Sequence, residues 1–209
     1  MNTTNISVNT QSSVRVAGSK VLYFDPFQIT SESHDADLIF ITHSHYDHLD
    51  PESISLISKD DTVFIVPASM EQDMRKAAGD VELILMEPGA TREISGISVK
   101  SVPAYNRLKP FHSKRNGWNG YIVTMDSLCY YVAGDTDDVN ELLSVKCDVA
   151  LVPIGGTYTM NARDAAKLVN GIRPKVAIPT HYGSIVGKPE DADVFKSYVD
   201  SEIVVETRL

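Results

Sequence analysis

Leu38-Ile39-Phe40-Ile41-Thr42-His43-Ser44-His45-Tyr46-Asp47-His48 is the stretch on which the reading of this chain turns. Its first four residues form a continuous apolar run of strand length, bounded behind by Asp35-Ala36-Asp37, the pattern of a fully buried strand. The run stops at the histidines. Four side chains with metal-binding chemistry, His43, His45, Asp47 and His48, therefore begin at the carboxyl end of a strand. Neutral imidazole nitrogens and a carboxylate oxygen are ligands that zinc, iron and manganese accept. A tight turn after a strand can aim residues two apart at one ion and their neighbours at a second. Surface histidines in a polar loop are the alternative, and they fit poorly with a segment that leaves a buried strand directly.

On the amino-terminal side, Ile6-Ser7-Val8 and Val14-Arg15-Val16 predict short strands. Gly18-Ser19 turns the chain into Val21-Leu22-Tyr23-Phe24, which Asp25-Pro26 stops. On the carboxyl side, Asp50-Pro51-Glu52 supplies an N-cap, a first-turn proline and a first-turn acid for a helix over 51–58. A strand at Val63–Val66, a helix near Ser69–Ala78 ended by Gly79, and a strand at Val81–Met86 follow. The middle is strand-rich: Ile97–Val102 alternates, and Tyr121–Met125 and Cys129–Ala133 flank Asp126-Ser127 as a hairpin. The last third alternates again, with strands at Val149–Ile154, Val176–Ile178 and Ile203–Val205 and helices at Asn161–Val169 and Glu190–Val199. This order suggests two sheets face to face with helices outside, although periodicity alone leaves the architecture open.

At 209 residues one domain, 1–209, is expected, large enough to bury roughly 70% of the surface its unfolded chain exposes. With 43% apolar and 22% charged residues, disorder is expected at most in the polar opening Met1-Asn2-Thr3-Thr4-Asn5. The formal charge of −9 repels phosphate backbones, so no nucleic-acid partner is expected and a small-molecule substrate is. Cys129 and Cys147 lie in apolar stretches and are expected buried and reduced. With no Lys or Arg before Arg15 and no long apolar run, neither a secretory signal nor membrane insertion is expected, and the reading is cytoplasmic.

His-x-His-x-Asp-His after an apolar strand resembles the signature of the metallo-β-lactamase superfamily. Later motifs arrive in the matching order: Ala133-Gly134-Asp135-Thr136 and Ile178-Pro179-Thr180-His181-Tyr182-Gly183. The resemblance implies an α+β fold, a four-layer αββα sandwich. Tyr23-Phe24-Asp25-Pro26-Phe27 and Pro179–Gly183 also look similar to the branch with ascorbate-6-phosphate lactonase and N-acyl-phosphatidylethanolamine phospholipase D. Carried over by position, the resemblance implies that His43 and His45 bind a first metal, that Asp47, His48 and His181 bind a second, and that Asp135 bridges both. One position departs. Where the superfamily places a third histidine for the first metal, this chain reads Val102-Pro103-Ala104-Tyr105-Asn106. By elimination His112 is the candidate; Asn106 or water completing the shell is the alternative. Zinc is the expected metal of the two-ion centre, with manganese and iron as further options.

Two such ions roughly 3.5–4 Å apart can share a water, acidify it and present the hydroxide to a phosphoester, lactone or amide. No serine sits in a Gly-x-Ser-x-Gly elbow, so a protein nucleophile is not required. Asp47 is the candidate catalytic residue, as acceptor or relay of a proton. Asp25 could take a metal ligand's second ring N–H or cap the turn at Pro26; both stay open. Arg107, Lys109, Lys114 and Arg115 with Trp118 could draw and stack an anionic substrate, or form a solvated loop with Trp118 in the core. Gly155-Gly156-Thr157-Tyr158-Thr159 could meet an anion at a helix start, or serve only the turn. Tyr46, Tyr105, Tyr158 and Tyr182 are candidate oxyanion donors, and His34 is expected in solvent. A small nuclease of the same fold and a non-enzymatic metal or redox sensor are the competing functions.

Overall fold

The computed structural model describes residues 3–209. One sheet holds β1 (Ile6–Val8), β2 (Val14–Ala17), β3 (Val21–Phe24), β4 (Ala36–Phe40), β5 (Ser58–Pro67) and β6 (Glu82–Met86), side by side in chain order. The other holds β7 (Thr91–Ile94), β8 (Ile97–Pro103), β9 (Asn119–Met125), β10 (Leu128–Val132), β11 (Val149–Pro153), β12 (Val176–Thr180) and β13 (Val204–Val205), again in order. Pairing is antiparallel from β1 to β3 and parallel from β3 to β6. The second sheet mirrors this, antiparallel from β7 to β10 and parallel from β10 to β13.

Strand alternation builds the layers. Leu38 and Phe40 of β4 face the other sheet, where Phe40 stacks on Phe24 at 4.6 Å and meets Tyr121 of β9 at 5.3 Å. Ile39 and Ile41 face the opposite way, onto Ile54 and Ile57 of α1 (Pro51–Ile57) and Met74 of α2 (Glu71–Ala78). On the far side, Tyr131, Val152 and Ala177 pack under α3 (Ala162–Ile172) and α4 (Asp191–Tyr198). The result is the expected αββα sandwich with one apolar core between the sheets and another beneath each helix layer. Tyr121 also spans the central core, its hydroxyl donating to the Ile41 carbonyl at 2.9 Å.

Several local expectations change. β5 begins at Ser58, directly after α1, because its polar start Ser58-Lys59-Asp60-Asp61 carries no apolar signal. The edge strand β7 went unread, since only Ile94 of its four residues is buried. The helix near Ser69 opens as a 3-10 turn over Ala68–Met70. Asp126 and Ser127 take φ of 52° and 65°, the left-handed pair that a two-residue hairpin turn needs. Both cysteines are free as expected but only half-buried. The expected disorder at Met1 and Asn2 lies outside the described residues, whereas Thr3 is buried and its hydroxyl donates to Glu206 at 2.8 Å. Among the described residues, no helix is long and apolar enough to cross a membrane.

α3 starts where Asn161 accepts from the N–H groups of Arg163 and Asp164, each at 3.0 Å. Asn161→Ala is expected to lower stability by about 1 kcal/mol, the usual worth of an N-cap, in urea unfolding. An unchanged midpoint would show that the cap contributes nothing.

Candidate metal centre

Parallel strands of both sheets deliver their carboxyl ends to one place. In the first sheet, β3 runs into Asp25, whose N–H donates to the Phe40 carbonyl at 2.9 Å and whose φ of 44° turns the carboxylate inward. That wholly buried carboxylate accepts from the Thr42 N–H and the Thr42 hydroxyl, each at 2.7 Å, and from His48 Nδ1 at 2.8 Å. Of the two readings the sequence left open, Asp25 takes the ring N–H of His48, and in place of capping the turn at Pro26 its carboxylate ties down the end of β4 through Thr42. Beyond Thr42, the N–H groups of His48 and Leu49 donate to the His45 carbonyl at 3.0 and 2.9 Å, closing the histidine segment into a turn before α1.

In the second sheet, β10 leads through Gly134 to Asp135. Gly134 has φ of 64°, and a Cβ there would lie 2.9 Å from Thr42 Cβ, so only glycine lets the two strand ends meet. β12 leads to His181, whose N–H donates to the Gln11 carbonyl at 2.9 Å. Gly155 lies beside it, where a Cβ would come within 2.3 Å of the His181 carbonyl oxygen. A loop brings the last histidine: the Asn106 side-chain oxygen accepts from both the N–H and Nδ1 of His112, at 3.2 and 2.9 Å. Asn106, weighed against His112 as a ligand, thus orients it.

Among the described residues, ligand atoms gather into three sets, each within 4.8 Å: His43, His45 and His112; His43, His48 and Asp135; Asp47, His48 and His181. His43 Nε2 and His45 Nδ1 are 3.0 Å apart. Two nitrogens about 2.0–2.1 Å from one tetrahedral ion would span roughly 3.3 Å, close to this edge. Asp135 reaches into every group: one oxygen lies 3.3 Å from His112 Nε2 and 3.4 Å from His181 Nε2, the other 3.4 Å from His48 Nε2. These approaches lack hydrogen-bond alignment. Among the described residues, the Nε2 atoms of His48, His112 and His181 and Oδ1 of Asp135 are buried with no hydrogen-bond partner. Buried polar atoms without partners are costly unless a ligand claims them, and this donor set suits a divalent ion.

The ring tautomers agree. His43 Nδ1 donates to the Thr42 hydroxyl at 3.0 Å, which donates on to Asp25, while His48 and His112 give their Nδ1 protons to Asp25 and Asn106. In the neutral form of each ring, the Nε2 lone pair is left facing the centre. Burial is the largest influence on His43 and His45 and, with the neighbouring histidines, holds both below the ordinary imidazole value, neutral and able to bind metal. Burial resists the charge of Asp135 most strongly, yet His181, His48 and His112 outweigh it and hold the carboxyl well below its usual range. Asp47 is likewise lowered, with burial opposed by His181 and His48. His48 goes the other way: burial lowers it, but Asp135 and Asp25 together hold it well above the ordinary value.

Other candidates are sorted by position. Trp118 lies 5.0, 5.1 and 5.6 Å from the rings of His43, His45 and His112, so it covers the histidines while half-buried among core residues. The basic loop is mostly neutralised: Arg107 pairs with Asp138 at 3.3 Å, Lys109 with Asp137 at 2.5 Å and Lys114 with Glu141 at 2.7 Å. The Gly156 and Thr157 N–H groups donate to Met160 and Gly155 within their own loop, which leaves them unavailable to an anion. Tyr46 and Tyr158 line the cavity above the centre; Tyr105 instead donates to Glu141 and Tyr182 lines a separate cavity. His34 is exposed, as expected. Sequence reasoning did not single out Thr42 or Gln11, both of which hold ligand candidates through ordinary backbone or hydroxyl groups.

Comparisons with known proteins show the family. The Beta-lactamase superfamily domain matches residues 7–181. A UPF0173 metal-dependent hydrolase of Thermococcus kodakarensis is 34% identical over 91% of this chain and 90% of its own length. One from Pyrococcus horikoshii is also 34% identical, with the same coverage. A solved structure from Parabacteroides distasonis is 32% identical with a TM-score of 0.80, over 97% of this chain and 91% of that one. Igni18, a metallo hydrolase of Ignicoccus hospitalis, has a TM-score of 0.78 at 21% identity over 97% of this chain and 93% of its own, a likeness of fold alone. The chain belongs to the metallo-β-lactamase superfamily, among the metal-dependent hydrolases of the UPF0173 family.

Proposed function

We propose that the chain hydrolyses a small molecule at a centre for two divalent ions, zinc first among the candidates. His43, His45 and His112 form one ligand set and Asp47, His48 and His181 the other, with Asp135 between them. The observation that carries this reading is Asp135, a buried carboxylate within 3.4 Å of imidazole nitrogens from both sets. When bound, two such ions supply an acidified water at neutral pH and polarise the bond under attack. The protein's own part is to orient His43, His48 and His112 through Thr42, Asp25 and Asn106 and to cover His43, His45 and His112 with Trp118.

Asp47 lines the cavity and faces His181 Nε2 at 3.2 Å. Against burial, His181 and His48 hold its carboxyl below the usual range, so it stands ionised, and the catalytic role proposed for it is to accept or relay a proton at a carboxylate oxygen. The cavity of about 290 Å³ above the centre favours a small substrate. The branch-level resemblance draws support from Asp25 and His181, since each of the two stretches behind it puts a residue into this centre. Removing metal with dipicolinate should abolish turnover, and adding zinc, manganese or anaerobic ferrous iron should restore it up to two equivalents. Turnover that survives complete metal removal would sink the proposal.

Metal uptake should depend on pH in a set direction. In the metal-free chain Asp135 and Asp25 favour protonated His48, so a proton competes for Nε2 at low pH and the competition fades as pH rises. Affinity should therefore increase with pH, approaching about tenfold per unit for one displaced proton. Calorimetry at pH 6, 7 and 8 checks this; a flat profile contradicts it.

A further inference from the structure

On the hydrolase reading above, we propose that the substrate is an uncharged carboxylic ester, open or cyclic, whose acyl part is apolar, and that phosphate esters are disfavoured. The cavity over the centre measures about 290 Å³, at the small end of the roughly 300–1,000 Å³ typical of ligand pockets. His45, Asp47 and Asp135 make its floor, and Tyr46, Phe111, Tyr158 and Ile185 complete its lining. Phe111 and Tyr158 meet edge to face at 4.7 Å, and Tyr46 leans on Phe27 at 6.0 Å. Tyr46, Phe111 and Ile185 are 67%, 42% and 38% exposed. Large apolar side chains gathered in solvent around one opening mark a surface that a ligand covers.

The charges nearby do not change this. Among the described residues no lysine or arginine lines the cavity, and Arg107, Lys109 and Lys114 are held by Asp138, Asp137 and Glu141. Beyond the two ions themselves, a phosphate ester would exchange water for aromatic and aliphatic walls with no lysine or arginine in the lining to replace the hydration of its remaining charge. An apolar acyl chain instead gains by leaving water for those walls, in proportion to the area it buries. The hydroxyls of Tyr46 and Tyr158 are the neutral donors available to a carbonyl oxygen. In the reaction, water gives its oxygen to the acyl carbon and the acyl C–O bond breaks. One proton of that water ends on the alcohol oxygen, and the other is released from the carboxylic acid.

The zinc-loaded full chain would be assayed with 4-nitrophenyl acetate, butyrate and hexanoate, and with 4-nitrophenyl phosphate and bis(4-nitrophenyl) phosphate. kcat/KM should rise along the ester series, by up to about fourfold per methylene if each is fully buried, and should exceed both phosphate esters. Phe111→Ser and, separately, Ile185→Ser should flatten that rise while metal content stays unchanged. Binding of hexanohydroxamate against acetohydroxamate, which share a head group and differ only in chain, gives a second readout independent of turnover; the longer one should bind at least about tenfold tighter. Faster hydrolysis of either phosphate ester, or equal hydroxamate affinities, would overturn this assignment and leave the hydrolase reading standing. Absence of metal-dependent turnover on every substrate would count against the hydrolase reading, and the hydroxamates would still decide the nature of the walls.

Discussion

His112→Ala is expected to remove one of two bound metal equivalents and to lower kcat/KM by more than about 100-fold. Outer partners of metal ligands are typically worth 10–100-fold, and a direct ligand should exceed them. His112 is wholly buried, its Nε2 has no hydrogen-bond partner, and it lies 3.3 Å from Asp135. The same substitution separates it from Asn106. If Asn106 were the ligand, the alanine variant would keep both equivalents. On this account Asn106→Ala acts only through the orientation of His112, with a loss inside the 10–100-fold range. Metal analysis after dialysis, with circular dichroism to check folding, distinguishes the cases.

Asp25→Asn should weaken metal binding by about 10–100-fold while the fold persists. Asparagine can still accept the Thr42 N–H through its oxygen. Its amide nitrogen, however, would replace the oxygen that takes both the Thr42 hydroxyl and His48 Nδ1. Facing a donor, His48 would turn its Nδ1 lone pair toward residue 25 and carry its proton on Nε2, where the metal must bind. Thr42 would lose the acceptor that lets it take the His43 proton, so the effect should reach both ligand sets. Zinc affinity measured by competition with a chromophoric chelator checks this; wild-type affinity would show that the carboxylate serves only the turn.

Much of the fold was legible because its strands are apolar and its turns carry their own signals. Leu38–Ile41 read as a buried strand, and β4 covers Ala36–Phe40 with Ile41 just past its end, Leu38 and Phe40 packed on one face and Ile39 and Ile41 on the other. Where pattern was weak the reading faltered: the opening of β5 is polar, and β7 buries one residue at an edge. The histidine segment announced itself through density. Asp135 and His181 lie far from it in sequence and entered only through resemblance, because nothing local tells a buried Asp at one strand end from another.

Orientation was the part that sequence could not carry. Whether Asp25 served the turn at Pro26 or a histidine depended on where its two oxygens point: one takes the Thr42 N–H, the other the Thr42 hydroxyl and His48 Nδ1. The positive charge of the loop from Arg107 to Arg115 was plain, but its acidic partners Asp137, Asp138 and Glu141 lie some thirty residues on and reach it only in the folded chain. Trp118 followed the same rule: the sequence left it as a stacking platform or a core residue, and the fold packs it half-buried against a core cluster while laying it over three histidines.

The central claim is a two-ion centre completed by His112, and anomalous diffraction from zinc-loaded crystals tests it most directly. The account predicts two peaks roughly 3.5–4 Å apart. One should lie about 2.0–2.1 Å from nitrogens of His43, His45 and His112, and the other should be ligated by Asp47, His48 and His181, with Asp135 reaching both. A single peak, or a first ion with His112 outside its ligand shell, would contradict it.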